Sequence, residues 1–530
     1  MSSNKISDKN LIFALIIISL AYYLTIVNKM FNIYILDMGR DLYVSLRTMR
    51  GDLFLRDFDY PYGFVMPYIY SLFYGLFGVS IKSFNIALMV MQIMIIAATY
   101  ITARLILPKF YSFICALTLL LAYYALPGVQ PNNIGGQLFG IISLYLMLKY
   151  FLVMPKTSYL VISAIFCGLV SAVKLNMGLA TFASNTIIII MFSALSKNGL
   201  SKPTIIIKRI SIYALVFFLF GMLPYLVFFA MAGYQKMMRF IAVWFVHGNK
   251  KPFSHIVDYY NQFLQHGISL NFIKTFILNN INIILITGMI LSLFLLRKSR
   301  SSRAEKLIVA AIIIFSVFKM HEYLFNWTYY SLTLWFFSPA VIILFWALKD
   351  LKDKYKIGAL MNFVLAVIGV FILAYCVASS LNINSKAKYY LNLQRGKVYL
   401  ATRNDVAIFT DTVNYLQDKI KPQEAMQSLF FTSALEYLLD AKEVCWESFN
   451  GSATGKILDY AIADSLQRLK TQKPEYILLV NFGGYLNYTS KPILDYVYSN
   501  YETVKEVSAI RPLEEYQLLN KITVYKLKNL

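Results

Sequence analysis

Nine charged side chains fall within the 23 residues from Asp37 to Asp59: Asp37, Asp41, Asp52, Asp57 and Asp59, interleaved with Arg40, Arg47, Arg50 and Arg56. This island directly follows the first long apolar run of the chain. Charge at the edge of a bilayer is expensive to desolvate, so a chain that keeps this many ionisable groups there is expected to use them chemically. If residues 40–50 form a helix along the membrane surface, Arg40, Tyr43 and Arg47 share one stripe, and Leu42, Leu46 and Met49 share an apolar one facing the acyl region. Asp37 sits where the first span meets that helix, partly desolvated but flanked by Arg40, the compromise a general base needs to stay ionised near neutrality. Asp is also a favoured helix N-cap, and the residue type leaves both roles open.

The elements that must position these residues follow from composition. At 58% hydrophobic over 530 residues the chain is too apolar for a soluble protein and reads as a polytopic membrane protein. A hydrocarbon core of roughly 30 Å needs about 20 helical residues, and about eleven segments meet that demand: 11–31, 82–107, 111–127, 134–153, 157–174, 178–196, 210–233, 273–296, 307–325, 329–348 and 357–379. The first lacks a small-residue cleavage site and is expected to remain as an anchor. The net charge of +23 resides in short connectors, as expected of cytoplasmic loops, and does not point to nucleic acid. On that alternation the N-terminus lies inside and the tail outside. Residues 60–78, with two prolines and three glycines, read as an interfacial or re-entrant helix; a crossing there would instead put the N-terminus outside and the island in the cytoplasm. From about 385 the patterns become those of a small α/β unit, with strand-like EYILLV and KITVYKL, so the expected domains are 1–384 and 385–530. In this tail Asp440, Glu443, Glu447 and Asn487 read as a solvated surface. Cys115, Cys167 and Cys376 lie in apolar runs and Cys445 stands alone, so neither a disulfide framework nor a metal site is expected.

The island resembles the first extracytoplasmic loop of the GT-C glycosyltransferases, nearest to the protein mannosyltransferase, aminoarabinose transferase and RgtA-to-D-like set (glycosyltransferase family 39-like). The parts that carry the resemblance are Asp37-Met38-Gly39-Arg40-Asp41, Arg56-Asp57-Phe58 and Tyr60-Pro61-Tyr62-Gly63. GLVSAVKLNMGLA at 168–180 is similar to that family's break between two spans, with Lys174 as its lysine, and Lys319-Met320-His321-Glu322-Tyr323 is a further match. The resemblance implies a GT-C membrane fold, juxtamembrane helices in the first outer loop and a C-terminal extracytoplasmic α/β domain. It implies transfer of a sugar from a polyprenyl-phosphate carrier, undecaprenyl-type in a bacterium, to a hydroxyl of an envelope lipid, glycan or protein, with inversion and without a cofactor. Asp37 would be the general base, and Arg40, Arg56, Lys174 and His321 would face the donor phosphate. Asp41, Asp57, Asp59, Tyr60, Tyr62 and Asn132 are the candidates for sugar or acceptor contacts. The expected location is the bacterial cytoplasmic membrane. Tyr60 departs from the pattern, because aminoarabinose transferases carry a lysine just before that proline; Asn132 and Asn133 stand where several relatives place an acid. The competing classes are an O-antigen polymerase or ligase, whose key arginines lie in later loops, and a transporter or flippase, which calls for mid-span charges and internal symmetry.

Overall fold

The computed structural model describes residues 7–26, 35–121, 131–152, 155–195, 203–246, 281–299, 301–320, 334–386, 389–393, 395–400, 402–429, 433–445, 456–482, 490–509 and 519–528. In chain order the helices are α1 (Asp8–Ile26), α2 (Ile35–Met49), α3 (Val65–Phe77), α4 (Ile81–Ala103), α5 (Lys109–Leu117), α6 (Pro131–Leu152), α7 (Thr157–Val173), α8 (Leu175–Leu195), α9 (Pro203–Phe217), α10 (Leu223–Ala232), α11 (Tyr234–Val246), α12 (Ile281–Lys298), α13 (Arg303–Lys319), α14 (Leu334–Tyr355) and α15 (Gly358–Lys386). The tail follows as β1 (Tyr389–Leu393), β2 (Gly396–Leu400), α16 (Arg403–Leu416), β3 (Ala425–Leu429), α17 (Ser433–Leu439), β4 (Lys442–Glu443), α18 (Lys456–Gln472), β5 (Tyr476–Phe482), α19 (Lys491–Asn500), β6 (Tyr501–Ser508) and β7 (Leu519–Leu527).

Each of the eleven expected spans overlaps one of these helices. Six of the described helices are long and apolar enough to cross a bilayer: Asp8–Thr25, Ile81–Ala103, Asn132–Leu152, Leu175–Leu195, Pro203–Ala232 and Gly358–Leu381. This is an integral membrane protein. The helix α3 has 13 residues, about 20 Å at the helical rise, too short for a hydrocarbon core of about 30 Å. The segment 60–78 therefore holds a short apolar helix rather than a span.

Two compact units emerge, one of Met1–Leu24, Leu88–Leu226 and Gly248–Ser380, the other of Thr25–Ala87, Val227–His247 and Leu381–Leu530. The second unit joins the island to the tail, a grouping unlike a single cut at 384/385.

The first unit is held by close backbone approach and buried polar pairs, the means available where lipid is as apolar as the protein. A Cβ on Gly168 would stand 2.9 Å from the Gly221 nitrogen, and one on Gly178 would stand 2.2 Å from the Ser171 Cα. Between α9 and α10 the chain passes through a π-helical turn, Phe218–Met222. Pro224 follows at once, and its missing N–H removes an intrahelical bond there. Ser143 and Ser163 exchange hydroxyl bonds to each other's carbonyls at 2.8 Å, and the Asn185 amide donates to the Tyr213 hydroxyl at 2.6 Å.

In the second unit a five-stranded sheet has the order β4-β3-β5-β7-β6. The strand β3 runs parallel to β4 and β5, while β7 is antiparallel to β5 and β6. Leu429, Ile477 and Leu479 of the sheet pack with Leu469, Ile493 and Val497 of the flanking helices as one core. The strand-like and helix-like runs of the tail fall where their patterns put them.

Candidate active site

The helix α2 differs from its expected setting. Residues 38–48 are all buried, so the helix does not lie with one face on lipid. Its charged stripe is covered by the tail: the Glu443 backbone N–H donates to the Tyr43 hydroxyl at 2.6 Å, and Arg50 pairs with Asp440, which Arg395 also holds at 2.7 Å. Its other side meets α3, where the Ser71 hydroxyl donates to the Ser45 carbonyl at 2.6 Å. Gly39 permits this packing, since a Cβ there would come 2.5 Å from the Ala434 Cβ.

Along α2 the predicted residues separate. Asp37 is helical, unlike an N-cap residue, whose backbone is not; its side chain lies outside the described residues. One turn on, Asp41 is 1% exposed, accepts the Tyr60 hydroxyl at 2.7 Å and is bonded by Arg40 Nε at 3.3 Å. The Arg40 guanidinium lies 5.7 Å from the Tyr60 ring centre and 5.0 Å from that of Tyr62, a cation–π arrangement that orients both rings. Asp41 and Arg40 thus form a buried bracket for the two tyrosines.

Beyond α2 the island turns back on itself. Arg47 Nε donates to Asp52 at 2.6 Å, and its terminal nitrogen donates to the Asp57 carbonyl at 3.1 Å. Arg56, half exposed, pairs with Asp57 at 2.7 Å. The Arg56 hydrogen bond, which outweighs partial burial, holds the Asp57 carboxyl below its ordinary pKa. Leu55 stands at φ 62°, a strained conformation for a bulky side chain. Its carbonyl accepts Lys236 Nζ at 2.8 Å, as does that of Arg56.

These residues open onto a narrow cleft lined by Leu55, Asp59, Tyr60, Pro61, Lys236, Arg239 and Phe240. Asp59 accepts Arg239 at 3.0 Å, so with Lys236 the lining carries one net positive charge. Burial, with Arg468 adding to it, lowers the Lys236 pKa against the pull of Asp59. Lys236 and Arg239 were missed in the sequence, where they belong to an unremarkable basic loop. Their i, i+3 spacing on one helix face was the signal.

Lys174 and Asn132 belong to the first unit. Lys174 is 4% exposed and breaks the helical path between α7 and α8 with extended backbone, φ −156° and ψ 111°, so the expected break is present. Nearby, Lys319 Nζ donates to the Met177 carbonyl at 3.3 Å. Asn132 and Asn133 are buried in the first turn of α6. His321 and Glu322 lie outside the described residues, as do Glu447 and Asn487. Glu443 and Asp440 are not the solvated surface expected of them: Glu443 is buried, and Asp440 bridges Arg50 and Arg395. The hydrogen bonds from these arginines, overcoming burial, hold the Asp440 carboxyl below its ordinary pKa.

No family model matches the chain, and no curated protein matches it. Solved structures do. ArnT from Cupriavidus metallidurans bound to undecaprenyl phosphate is similar over 97% of both chains, with a TM-score of 0.58 and 12% identity. The chain has the GT-C fold. The Archaeoglobus fulgidus oligosaccharyltransferase in complex with Zn and sulfate is similar over 96% of this chain and 73% of its own, at a TM-score of 0.55 and 12% identity. The archaeal oligosaccharyltransferase AglB from the same organism, in complex with an inhibitory peptide and a dolichol-phosphate, covers 93% of this chain and 72% of its own, at a TM-score of 0.50 and 13% identity. The GT-C architecture therefore extends across both the apolar helices and the α/β tail.

Proposed function

We propose that this protein is a polyprenyl-phosphate-dependent glycosyltransferase that moves a sugar to a hydroxyl of an envelope lipid, glycan or protein on the extracytoplasmic face of the cytoplasmic membrane. The observation that carries the reading is the cleft, in which Asp59, Tyr60 and Pro61 of the island meet Lys236 and Arg239 in a chain with the GT-C fold. Two of the solved neighbours hold undecaprenyl phosphate and dolichol-phosphate.

In this mechanism Asp37 accepts the proton of the acceptor hydroxyl as its oxygen attacks the anomeric carbon. The bond from that carbon to the phosphate oxygen breaks, and the lipid phosphate leaves with inversion. Lys236 and Arg239 stabilise the charge that gathers on the departing phosphate, a term worth most in a water-poor cleft. Tyr60 and Tyr62, bracketed by Arg40 and Asp41, form the wall against which the sugar rests. Arg56, paired with Asp57 in solvent, has a minor part, and Lys174 and His321 are further candidates for phosphate contact. The chemistry requires no cofactor. A divalent metal is dispensable because the leaving group is a single phosphate already met by two cations.

The test uses the full-length protein in nanodiscs with radiolabelled polyprenyl-phosphate sugars and extracted envelope acceptors. Transfer is expected from one donor, with loss in Asp37→Asn and no effect of a chelator. Absence of transfer across donors, with envelope glycans unchanged by mass spectrometry when the protein is removed, would overturn the reading.

A further inference from the structure

Beneath α2 lies a group of ionisable side chains that the transfer chemistry does not use. Glu436 of α17 is fully buried, with one carboxyl oxygen accepting the Ser428 N–H at 2.6 Å and Oε2 lacking a hydrogen-bond partner among the described residues. Glu443 of β4 is buried beside it, and its Oε2 also lacks one. The Gln427 side-chain oxygen accepts the N–H groups of Val444 and Cys445 at 3.2 and 2.7 Å, fixing the backbone around Glu443. From α2, Tyr43 faces both glutamates and Arg47 faces Glu443, and Arg47 already serves Asp52. One guanidinium is thus divided between Asp52 and Glu443, with Glu436 a third acid beside Glu443. Ionising both glutamates would leave uncompensated negative charge in a packed interface, which proteins avoid by keeping such groups neutral.

We propose that Glu436 and Glu443 are positioning residues: in uncharged form they seat α2, and with it Asp37 and Arg40, on the tail, and their ionisation unseats it. The proposal rests on the reading that α2 carries the reaction. Its direction follows from linkage. Burial is the largest cause for both groups; it raises Glu436 to about 7, and it raises Glu443, which Glu436 also repels, well above its ordinary value. A carboxyl raised on folding contributes its full stability below the ordinary carboxyl pKa and loses it as pH climbs through the folded value. The seat is thus firm in mild acid and weakens through neutrality and above.

Hydrogen exchange on the full-length protein in nanodiscs, corrected for the intrinsic rate, tests this between pH 5.5 and 8.5. Protection of the amides of residues 40–49 is expected to fall in the wild type by up to about tenfold per pH unit for one proton released. The Glu436→Gln/Glu443→Gln double variant, which keeps shape without charge, is expected to hold its protection across the range. A flat wild-type profile, or a parallel fall in the double variant, overturns the proposal. Should the double variant not fold, the single variants Glu436→Gln and Glu443→Gln replace it, each expected to flatten the fall, and a fall parallel to the wild type in both overturns the proposal. In the transfer assay the double variant is expected to extend activity to higher pH through kcat, leaving KM for the donor unchanged. Failure of transfer in the wild type would refute the enzymatic reading and leave the exchange result intact.

Discussion

The charged island and the Lys174 break hold their cations by different means. In the island, Arg40, Arg47, Arg50 and Arg56 each meet an aspartate, and the partner of Arg50 comes from 390 residues away. At the break, the lysine ammonium of Lys319 is met by the Met177 carbonyl, and the neighbouring backbones touch where Gly178 abuts Ser171. A guanidinium fork asks for a carboxylate of defined geometry, whereas an ammonium is a point charge that can donate to a single carbonyl oxygen. Density of charge along a sequence thus marks where a chain has invested in electrostatics, and most of that investment can be structural.

The sharpest way to separate the chemical charge from the structural charge is Asp37→Asn. Loss of a general base lowers the rate by about 10²–10⁴-fold, and the protein is expected to express and melt as the wild type does. A Lys236→Met variant, read as kcat in the same assay, is expected to lose about 10²–10³-fold if the ammonium meets the leaving phosphate. Arg239→Ala strands Asp59 in a largely buried position, where breaking an ion pair costs about 3–5 kcal/mol; thermal melting in detergent reads the loss. If that variant melts normally, the island is not held by its pairs and the contrast with the break disappears. Gly39→Ala drives a methyl into Ala434 at the seat of α2, overpacking worth about 1–3 kcal/mol, and pairing it with Ala434→Gly is expected to restore the melting temperature. Arg56→Ala closes the series. Its side chain is in solvent, so stability is expected to stay unchanged within error and transfer to fall least.

Much of this was legible in the sequence because two signals are local. Apolar length finds the helices, and period-two alternation finds β5 and β7. The island was visible as a run of charges, and Lys174 as a break in an apolar stretch. What was not legible depends on partners distant in sequence. Residues 40–50 carry a clean amphipathic pattern, which fits a helix on lipid equally well as one covered by a distant stretch of the same chain. Glu443 sits in a polar stretch that gives no hint of burial, because the groups covering it, Tyr43 and Arg47, lie 400 residues earlier in the chain for Tyr43. Lys236 and Arg239 gained meaning only when the turn at Leu55 brought Asp59 and Tyr60 to them.

The bond from Arg50 to Asp440 also imposes an order on biosynthesis. At about 5–20 residues per second a ribosome takes roughly 20–80 s to cover the interval of 390 residues between them. Throughout that time the nascent chain presents Arg50 without the acid that will answer it. The newly made island is therefore the stretch most open to chaperones or anionic headgroups, and closure of this unit must be among the last events of assembly.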